Sequence, residues 1–365
     1  MNEDKIKQLR KNSLKNYYKI GLDKYFGKKG ENLINNVTDF RAHPWIMYLS
    51  QDEWRNIVKR DYIDLFKSTE HIQGFDSVMS EVRDNMNLQS RMNDRIAQIR
   101  ACESILNHGL YSMNNAKANM IKFPKKDNPK YDLSFKVNNE NHYASVKYPD
   151  EWRNIIKNIK LRLDYESIMD SRFKKSFILK LFLPNCKNEK EQKEYYSKFI
   201  EELISGIKKL LINNNFVEEN FIKIPFKNED FNKKHNQEYG VRISYDAGET
   251  SRIISDNSNI LEEWTSKKIF NIYGYIYPKI LTHIRESFLE FYKLEEHKFN
   301  ENDNSNIIKL ENCHLFYLHD IPSTNIKFAR DYLIKSVNNI CKALDVDEYF
   351  KTDILLYAYE DNYLY

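Results

Sequence analysis

The chain has 365 residues, of which 41% are hydrophobic and 14% are aromatic. A chain with this apolar content can bury a large core, which excludes disorder as its main state. Lysine and arginine outnumber aspartate and glutamate by only 57 to 53, which gives a formal net charge of +4. This balance neither requires nor excludes a polyanionic partner.

The sequence also bears on the cellular compartment. The segment from Met1 to Lys15 has no apolar run of the kind that a signal peptide needs, and no stretch of eighteen apolar residues occurs in the sequence. The four cysteines, at positions 102, 186, 313 and 341, form no Cys-x-x-Cys pair of the zinc-binding type. We expect a cytoplasmic protein with reduced cysteines and no membrane association.

The first part of the chain has helical spacing. Residues 1–86 show few β-branched runs and predict an N-terminal helical region. Residues 87–110 form a long amphipathic helix pattern, which Gly109 closes. Two alternating stretches, Tyr131–Val137 and His142–Tyr148, then predict a β-hairpin.

The rest of the chain alternates between strand and helix patterns. In order, these are a strand Phe177–Leu183, a helix Glu191–Leu211, a strand Tyr239–Tyr245, a helical stretch Ile260–Tyr292, and a strand, helix and strand at His314–Leu318, Ile326–Ala343 and Ile354–Tyr359. We predict an α/β protein with three parts. They are an N-terminal helical region (1–86), a core (87–250), and a C-terminal helical and α/β extension (251–365).

One acidic residue interrupts the apolar face of the 87–110 helix. At about 100° per residue, Glu103 falls within a stripe made by Met92, Ile96, Ile99, Leu106 and Leu110. A carboxylate that faces a core needs a hydrogen-bonded cation or a metal ion, because burying it alone costs roughly several kcal/mol. The structural alternative is a salt bridge to Arg100, three residues earlier on the same side.

The predicted hairpin places an acid and a base on one face. With the loop centred after Asn139, paired positions add up to 279, so Asp132 lies opposite Lys147. Ser134 then lies opposite Ser145, and the intervening residues form a mostly apolar face. The alternative is a surface ion pair, which is worth under about 1 kcal/mol.

Together these segments resemble the PD-(D/E)xK nucleases, the restriction-endonuclease-like superfamily. The resemblance rests on Arg100–Asn107 in the helix, Tyr131–Phe135 in the first strand and His142–Lys147 in the second. In that superfamily a helix supplies a glutamate, and the hairpin that follows supplies an aspartate and then an acid-x-lysine motif. The resemblance covers about residues 90–185, and order, spacing and element type agree.

The resemblance implies a restriction-endonuclease-like core, a mixed central sheet flanked by helices, that hydrolyses phosphodiester bonds with Mg²⁺ or, in its place, Mn²⁺. Its implied catalytic residues are Glu103, Asp132, Ser145 and Lys147. Glu103, Asp132 and the backbone carbonyl of Val146 would hold the metal ion. Lys147 would orient or deprotonate the attacking water, and Ser145 would hydrogen-bond a metal-bound water.

The resemblance further implies nucleic acid as the partner, DNA before RNA, and a role in restriction or antiphage defence. Arg91, Arg95 and Arg100 project from the helix and are candidates for contacts with the nucleic-acid backbone. A solvated helix surface is an equally good interpretation of all three. Whether the protein is a homodimer stays open.

The sequence departs from the superfamily pattern at two positions. Tyr131 stands where a proline usually precedes the aspartate, and Ser145 stands where the strand acid is expected. The second departure removes a metal ligand, whose charge Glu103 could restore. A non-catalytic nucleic-acid-binding protein and a protein-interaction module therefore remain alternatives.

Three histidines in the C-terminal third are further potential metal ligands by residue type. His283, His314 and His319 share no metal-ligand spacing with a carboxylate. We therefore expect them to be packed or exposed residues without a catalytic role.

Overall fold

The structure, a computed structural model, divides into two compact units. Unit 1 comprises residues 1–149 and 277–365, and unit 2 comprises residues 150–276. The predicted boundaries after residues 86 and 250 do not coincide with these limits. The residues that the structure describes are 3–124, 131–148, 155–174, 176–182, 189–213, 220–224, 240–246, 281, 283–292, 310–321, 326–346 and 350–358.

The N-terminal part of unit 1 is helical, as predicted. Its α-helices are α1 (Glu3–Lys19), α2 (Asp23–Asn36), α3 (Pro44–Leu49), α4 (Arg55–Val58), α5 (Leu65–Thr69) and α6 (Phe75–Asp84). They share an aromatic core, in which the rings of Phe26 and Trp45 stack with centroids 5.7 Å apart. Phe66 contacts both Tyr25 and Phe75, so these rings hold α2, α3, α5 and α6 together.

The helix predicted over residues 87–110 is confirmed as α7 (Gln89–His108). Its expected amphipathic character is not, because the four consecutive residues Ile96–Ile99 are all buried and lie all around the helix axis. Met92 and Ile99 are fully buried, whereas Leu106, near the end of the predicted stripe, is 37% exposed. The helix ends at Gly109, whose φ of +72° favours glycine. A Cβ at this position would lie 2.5 Å from the carbonyl oxygen of Ala116, so a larger residue would also collide with the backbone.

The described strands form two sheets. They are β1 (Asn119–Lys122), β2 (Leu133–Val137), β3 (Glu140–Lys147), β4 (Ser176–Phe182), β5 (Asn220–Lys223), β6 (Gly240–Asp246), β7 (Cys313–Ile321) and β8 (Phe350–Ala358). The sheet of unit 1 has the order β1-β2-β3-β7-β8. Its first three strands are antiparallel, and β3, β7 and β8 run parallel. The predicted α/β class, with a mixed sheet and helices, is confirmed.

The hairpin of β2 and β3 is tighter than predicted. Leu133 pairs with Ala144, so paired positions add up to 277 and not to 279. Residues 138–139 alone form the turn, with φ of 51° and 68°, the left-handed geometry that twist-compatible two-residue turns require. The prediction that Asp132 lies opposite Lys147 is therefore wrong by two residues.

The two faces of the hairpin are nevertheless as predicted, because a shift of two residues does not exchange them. Phe135 and His142 pair across the hairpin on the buried face. Ser134 pairs with Tyr143, not with Ser145. Alternation keeps Ser145 on the same face as Lys147.

The C-terminal part of unit 1 completes the sheet. Residues 283–292 are helical and are named α10, and helix α11 (Ile326–Ala343) lies between β7 and β8. The predicted strand, helix and strand of this region are confirmed. Residues 260–280 of the predicted helical stretch lie outside the described residues.

Unit 2 has its own small core. Its helices are α8 (Ile155–Met169) and α9 (Glu189–Asn213), and its antiparallel sheet has the order β4-β6-β5. Buried residues of α9, including Phe199 and Leu203, pack with Val241 and Ile243 of β6. In the described part of both units, no helix is long and apolar enough to cross a membrane.

Candidate active site

Asp132 lies immediately before β2 and is held from two sides. Its Oδ1 accepts a hydrogen bond of 2.7 Å from the side-chain amide of Gln98 in α7. Its Oδ2 accepts a hydrogen bond of 2.6 Å from the backbone N–H of Val146 in β3. A carboxylate oxygen can accept more than one contact, so both oxygens retain the capacity to bind a cation.

The place where β2 begins explains the contact with Val146. The described pairing of β2 with β3 starts at Leu133 and Ala144, so the N–H of Val146 lies beyond the regular ladder and the carboxylate takes the place of a backbone acceptor. The backbone N–H of Asp132 in turn donates to the carbonyl of Ala144 at 2.7 Å. Because the N–H and C=O of one strand residue point to the same side, the carbonyl of Val146 also points toward the Asp132 side.

Lys147 ends β3 beside a second acidic residue. Its ammonium nitrogen lies 3.8 Å from the Oε2 of Glu290 in α10. Lys147 is the register partner of Tyr317 in β7, and the ring of Tyr317 lies 5.7 Å from that of His283 in α10. Helix α10 therefore lies along the face of β3 and β7 that carries Lys147.

The charge of Asp132 is only partly compensated. The residue as a whole is half-buried, but its carboxylate is enclosed, and this loss of solvation raises its pKa above the usual value. The negative charge of Glu290 acts in the same direction. The hydrogen bond from Val146 and the positive charges of Lys147 and Arg95 oppose the shift without cancelling it.

Ser145 is buried, with 2% of its surface exposed. It immediately precedes Val146, whose backbone N–H donates to the carboxylate of Asp132. The structure therefore brings Asp132, Ser145, Val146 and Lys147 to one end of the hairpin.

Glu103 contacts a different element. Its Oε1 accepts a hydrogen bond of 3.1 Å from the hydroxyl of Ser68 in α5. Gln98, the α7 residue that contacts Asp132, lies five residues before Glu103, which corresponds to about 140° around the helix axis. Contact of Glu103 and Asp132 with one metal ion stays a prediction.

The three arginines of α7 have different surroundings. Arg95 forms an ion pair of 2.8 Å with Glu81 of α6 and is close enough to Asp132 to affect its pKa. Arg91 is exposed and Arg100 is half-buried. Of the three, Arg91 is the most accessible to a large partner.

A second polar cluster lies inside the sheet. The Nδ1 of His142 is 3.0 Å from the Nε2 of His314, and the Nδ1 of His314 is 3.8 Å from the carboxylate of Asp353. Asp353 also accepts hydrogen bonds of 2.8 Å from the N–H and the hydroxyl of Ser112. All three members of the chain from His142 to Asp353 are at most 2% exposed.

The cluster has one consistent proton arrangement. A proton on the Nδ1 of His314 would face the Asp353 carboxylate, so its Nε2 would accept from a protonated Nδ1 of His142. Burial lowers the pKa of both histidines, that of His142 to about 4. His314, which was expected to be packed or exposed without a catalytic role, is packed in the core.

Two residues near Asp132 were not predicted from the sequence. Gln98 is 6% exposed between buried residues of α7, and a polar residue in that position was a usable signal. Glu290 follows Lys147 by 143 positions (290 minus 147), and no motif spacing links them. Glu290 comes close to Lys147 only in the folded chain.

The oxygen atoms around Asp132 are suited in part to binding a hard cation. Mg²⁺ prefers carboxylate and carbonyl oxygens and keeps several waters, so Asp132 and the carbonyl of Val146 are suitable ligands. In the described part of the chain, no group of three or more histidine, cysteine, aspartate or glutamate side chains is arranged to hold a metal ion. Comparison of the chain with protein-family models, with curated proteins and with solved structures gives no significant match.

Proposed function

We propose that the protein is a Mg²⁺-dependent nuclease with a restriction-endonuclease-like core of the PD-(D/E)xK type. The observation that carries this proposal is the hydrogen bond from Val146 to Asp132, which fixes an acid beside the lysine that ends the next strand. The helix before the hairpin and the mixed sheet that contains the hairpin also support it.

The chemistry follows from the groups around Asp132. Mg²⁺ at this position would stabilise charge on the phosphate and lower the pKa of a bound water. Asp132 and the carbonyl of Val146 would hold it. Lys147 would neutralise charge on the phosphoryl oxygens and orient the attacking water, and the hydroxyl of Ser145 would hydrogen-bond a water of the site. Gln98 would keep the carboxylate of Asp132 in place.

The proposed substrate is DNA, in a restriction or defence setting, and the proposed location is the cytoplasm. The exposed Arg91 is suited to a contact with the phosphate backbone, whose contribution should weaken as salt is raised. RNA is a competing substrate that the same assay covers.

A second candidate is a nucleic-acid-binding protein that does not cleave. It is favoured by one observation, the buried Ser145 at the position where the superfamily has an acid. Binding would then occur without metal-dependent cleavage.

The two candidates are separated by cleavage assays on single- and double-stranded DNA and RNA with Mg²⁺, Mn²⁺ or EDTA. We expect cleavage that needs the metal and is lost in Asp132→Asn, whereas Asp64→Asn, an exposed control, retains it. Binding without cleavage under all conditions would overturn the nuclease in favour of the second candidate. Failure to bind at low salt would exclude both.

A further inference from the structure

We propose that Glu290 is the second acidic ligand of the metal site and takes the place of the acid that is missing at Ser145. This inference rests on the proposed nuclease function and names a residue that the superfamily resemblance does not. Its geometric basis is the approach of the Glu290 carboxylate to within 3.8 Å of the Lys147 ammonium. Glu290 thus reaches the lysine that the proposed mechanism uses.

The orientation of α10 supports this assignment. His283 contacts Tyr317, which pairs with Lys147, and Glu290 contacts Lys147 itself. His283 and Glu290 are seven residues apart, which places them within about 20° of each other around the helix. One side of α10 therefore follows the face of β3 that holds Ser145 and Lys147.

A buried hydroxyl on the same side of α10 is an independent observation. Ser287 is 0% exposed, and its Oγ has no hydrogen-bond partner among the described residues. It precedes Glu290 by three residues and lies about 60° from it around the helix. A buried hydroxyl without a partner requires a water or another polar group nearby, and the hydration shell of a metal ion would provide one.

The charges around Asp132 also favour a metal ion at this position. Asp132 is enclosed, and Glu290 adds a second negative charge whose effect on Asp132 is resolved. The positive charges of Lys147 and Arg95 act on Asp132 without cancelling this effect, and Lys147 also faces Glu290. A divalent cation between the acids would relieve both the desolvation of Asp132 and the repulsion between the two groups.

Glu103 was the acid expected from the sequence, and its contact is with Ser68 of α5. Glu290 is also more accessible, with 48% of its side chain exposed. The competing interpretation of Glu290 is an ion pair with Lys147 at the rim of the site, which would contribute little.

The test uses the full-length chain and Mn²⁺ as the probe, with affinity measured by calorimetry and independently of cleavage. We expect Glu290→Gln to weaken Mn²⁺ binding by at least about tenfold while the thermal unfolding midpoint in EDTA is kept. The matched control is Glu286→Gln, an exposed glutamate one turn earlier on α10, which should bind as the wild type does.

A second variant moves the acid from the helix to the strand. In a Glu290→Gln background, Ser145→Glu should recover most of the lost Mn²⁺ affinity, because Ser145 lies on the same face as Lys147. An ion pair at the rim would show no such recovery, and that result would overturn the proposal.

The outcomes also separate this inference from the proposed function. Wild-type affinity in Glu290→Gln, together with lost affinity in Asp132→Asn, overturns the role of Glu290 and leaves the nuclease proposal standing. Loss of Mn²⁺ affinity in Glu103→Gln, with wild-type affinity in Glu290→Gln, also overturns the role of Glu290 and leaves the nuclease proposal standing. The second acidic ligand is then Glu103 of α7. A wild-type protein that neither binds Mn²⁺ nor cleaves nucleic acid overturns both.

Discussion

Asp132 joins the start of β2 to the end of β3 by accepting the backbone N–H of Val146 at 2.6 Å. The bond is made to main chain, so the position of the carboxylate depends on the hairpin register as well as on its own rotamer. Gln98 adds a contact from α7. A change at any of these three residues should therefore affect the geometry of the site and its chemistry together.

Replacement of Asp132 by asparagine should remove cleavage without lowering stability. The pKa of Asp132 is raised in the folded protein above about 3.9 in the unfolded chain. For a carboxyl group with a raised pKa, ionisation costs stability as the pH rises through the folded value. At pH 7 in EDTA, Asp132→Asn should thus unfold at the same temperature as the wild type or higher.

The asparagine can keep both hydrogen bonds, because its oxygen can accept from Val146 and its amide can donate to a rotated Gln98 side chain. Scanning calorimetry in EDTA provides the measurement. A clear fall in the unfolding temperature would mean that the carboxylate charge at position 132 stabilises the fold and is not held there for a ligand.

Replacement of Lys147 by alanine should slow the chemical step and leave Mn²⁺ binding intact or tighter. The side chain is 20% exposed and faces two acids, so its removal takes away a positive charge that competes with the metal. Loss of a positioned acid–base group typically costs about 10²–10⁴-fold in rate. Single-turnover cleavage and Mn²⁺ calorimetry on the same protein give both values.

Lys136→Ala is the control for this change, because Lys136 lies in the same hairpin and pairs with Asn141. Equal rates for Lys147→Ala and Lys136→Ala would show that Lys147 only forms a surface ion pair.

Replacement of Gln98 by alanine should shift the pH dependence of cleavage. Gln98 donates to the Oδ1 of Asp132, and a donor stabilises the ionised carboxylate. Its loss should raise the pKa of Asp132 further, so the acid limb of the pH–rate profile should move to higher pH. An unchanged acid limb with a uniformly lower rate would instead indicate a packing defect in α7.

The buried histidine pair should make the protein sensitive to mild acid. His142 and His314 lie beside each other, and Asp353 and Lys351 are the charged groups near them. Burial lowers the pKa of both histidines. Their unfolded value is about 6.5, so their contribution is fully present above that pH and is lost as the pH falls toward about 4 for His142. Stability should decline over this window.

His142→Asn removes one titrating group and keeps a donor for His314. It should lower stability at pH 7.5 but reduce the loss between pH 6.5 and 4.5, as measured by thermal unfolding at each pH. The exposed His71→Asn should follow the wild type. A wild-type slope in His142→Asn would exclude this histidine as the source of acid sensitivity.

Local sequence signals were sufficient where an element is determined by its own residues. The spacing of Met92 and Ile99 and the glycine at position 109 predicted α7, and alternation predicted both faces of the hairpin. The pairing register of the hairpin could not be predicted in this way, because it depends on the geometry of the turn. Four polar residues suggested a longer loop, but Asn138 and Asn139 adopt left-handed angles by themselves, which moved every pair by two.

How the elements pack against one another could not be predicted from the spacing of residues along the sequence. The approach of Glu290 to Lys147 depends on how α10 packs against β3 and β7. The apolar spacing around Glu103 predicted a buried helix face, but α7 has neighbours in both α5 and the sheet. A helical wheel cannot tell which of these neighbours a given residue meets.

The parallel pairing of β3 with β7 also has a consequence for biosynthesis. Tyr143 pairs with Cys313, 170 positions later in the chain (313 minus 143). During translation, the edge of β3 therefore stays open until all of unit 2 has left the ribosome, and closing so long a connection costs about 2 kcal/mol more than closing one of about 20 residues. Open strand edges recruit other chains. Nascent or truncated chains that stop before residue 313 should thus aggregate through β3 and depend on chaperones.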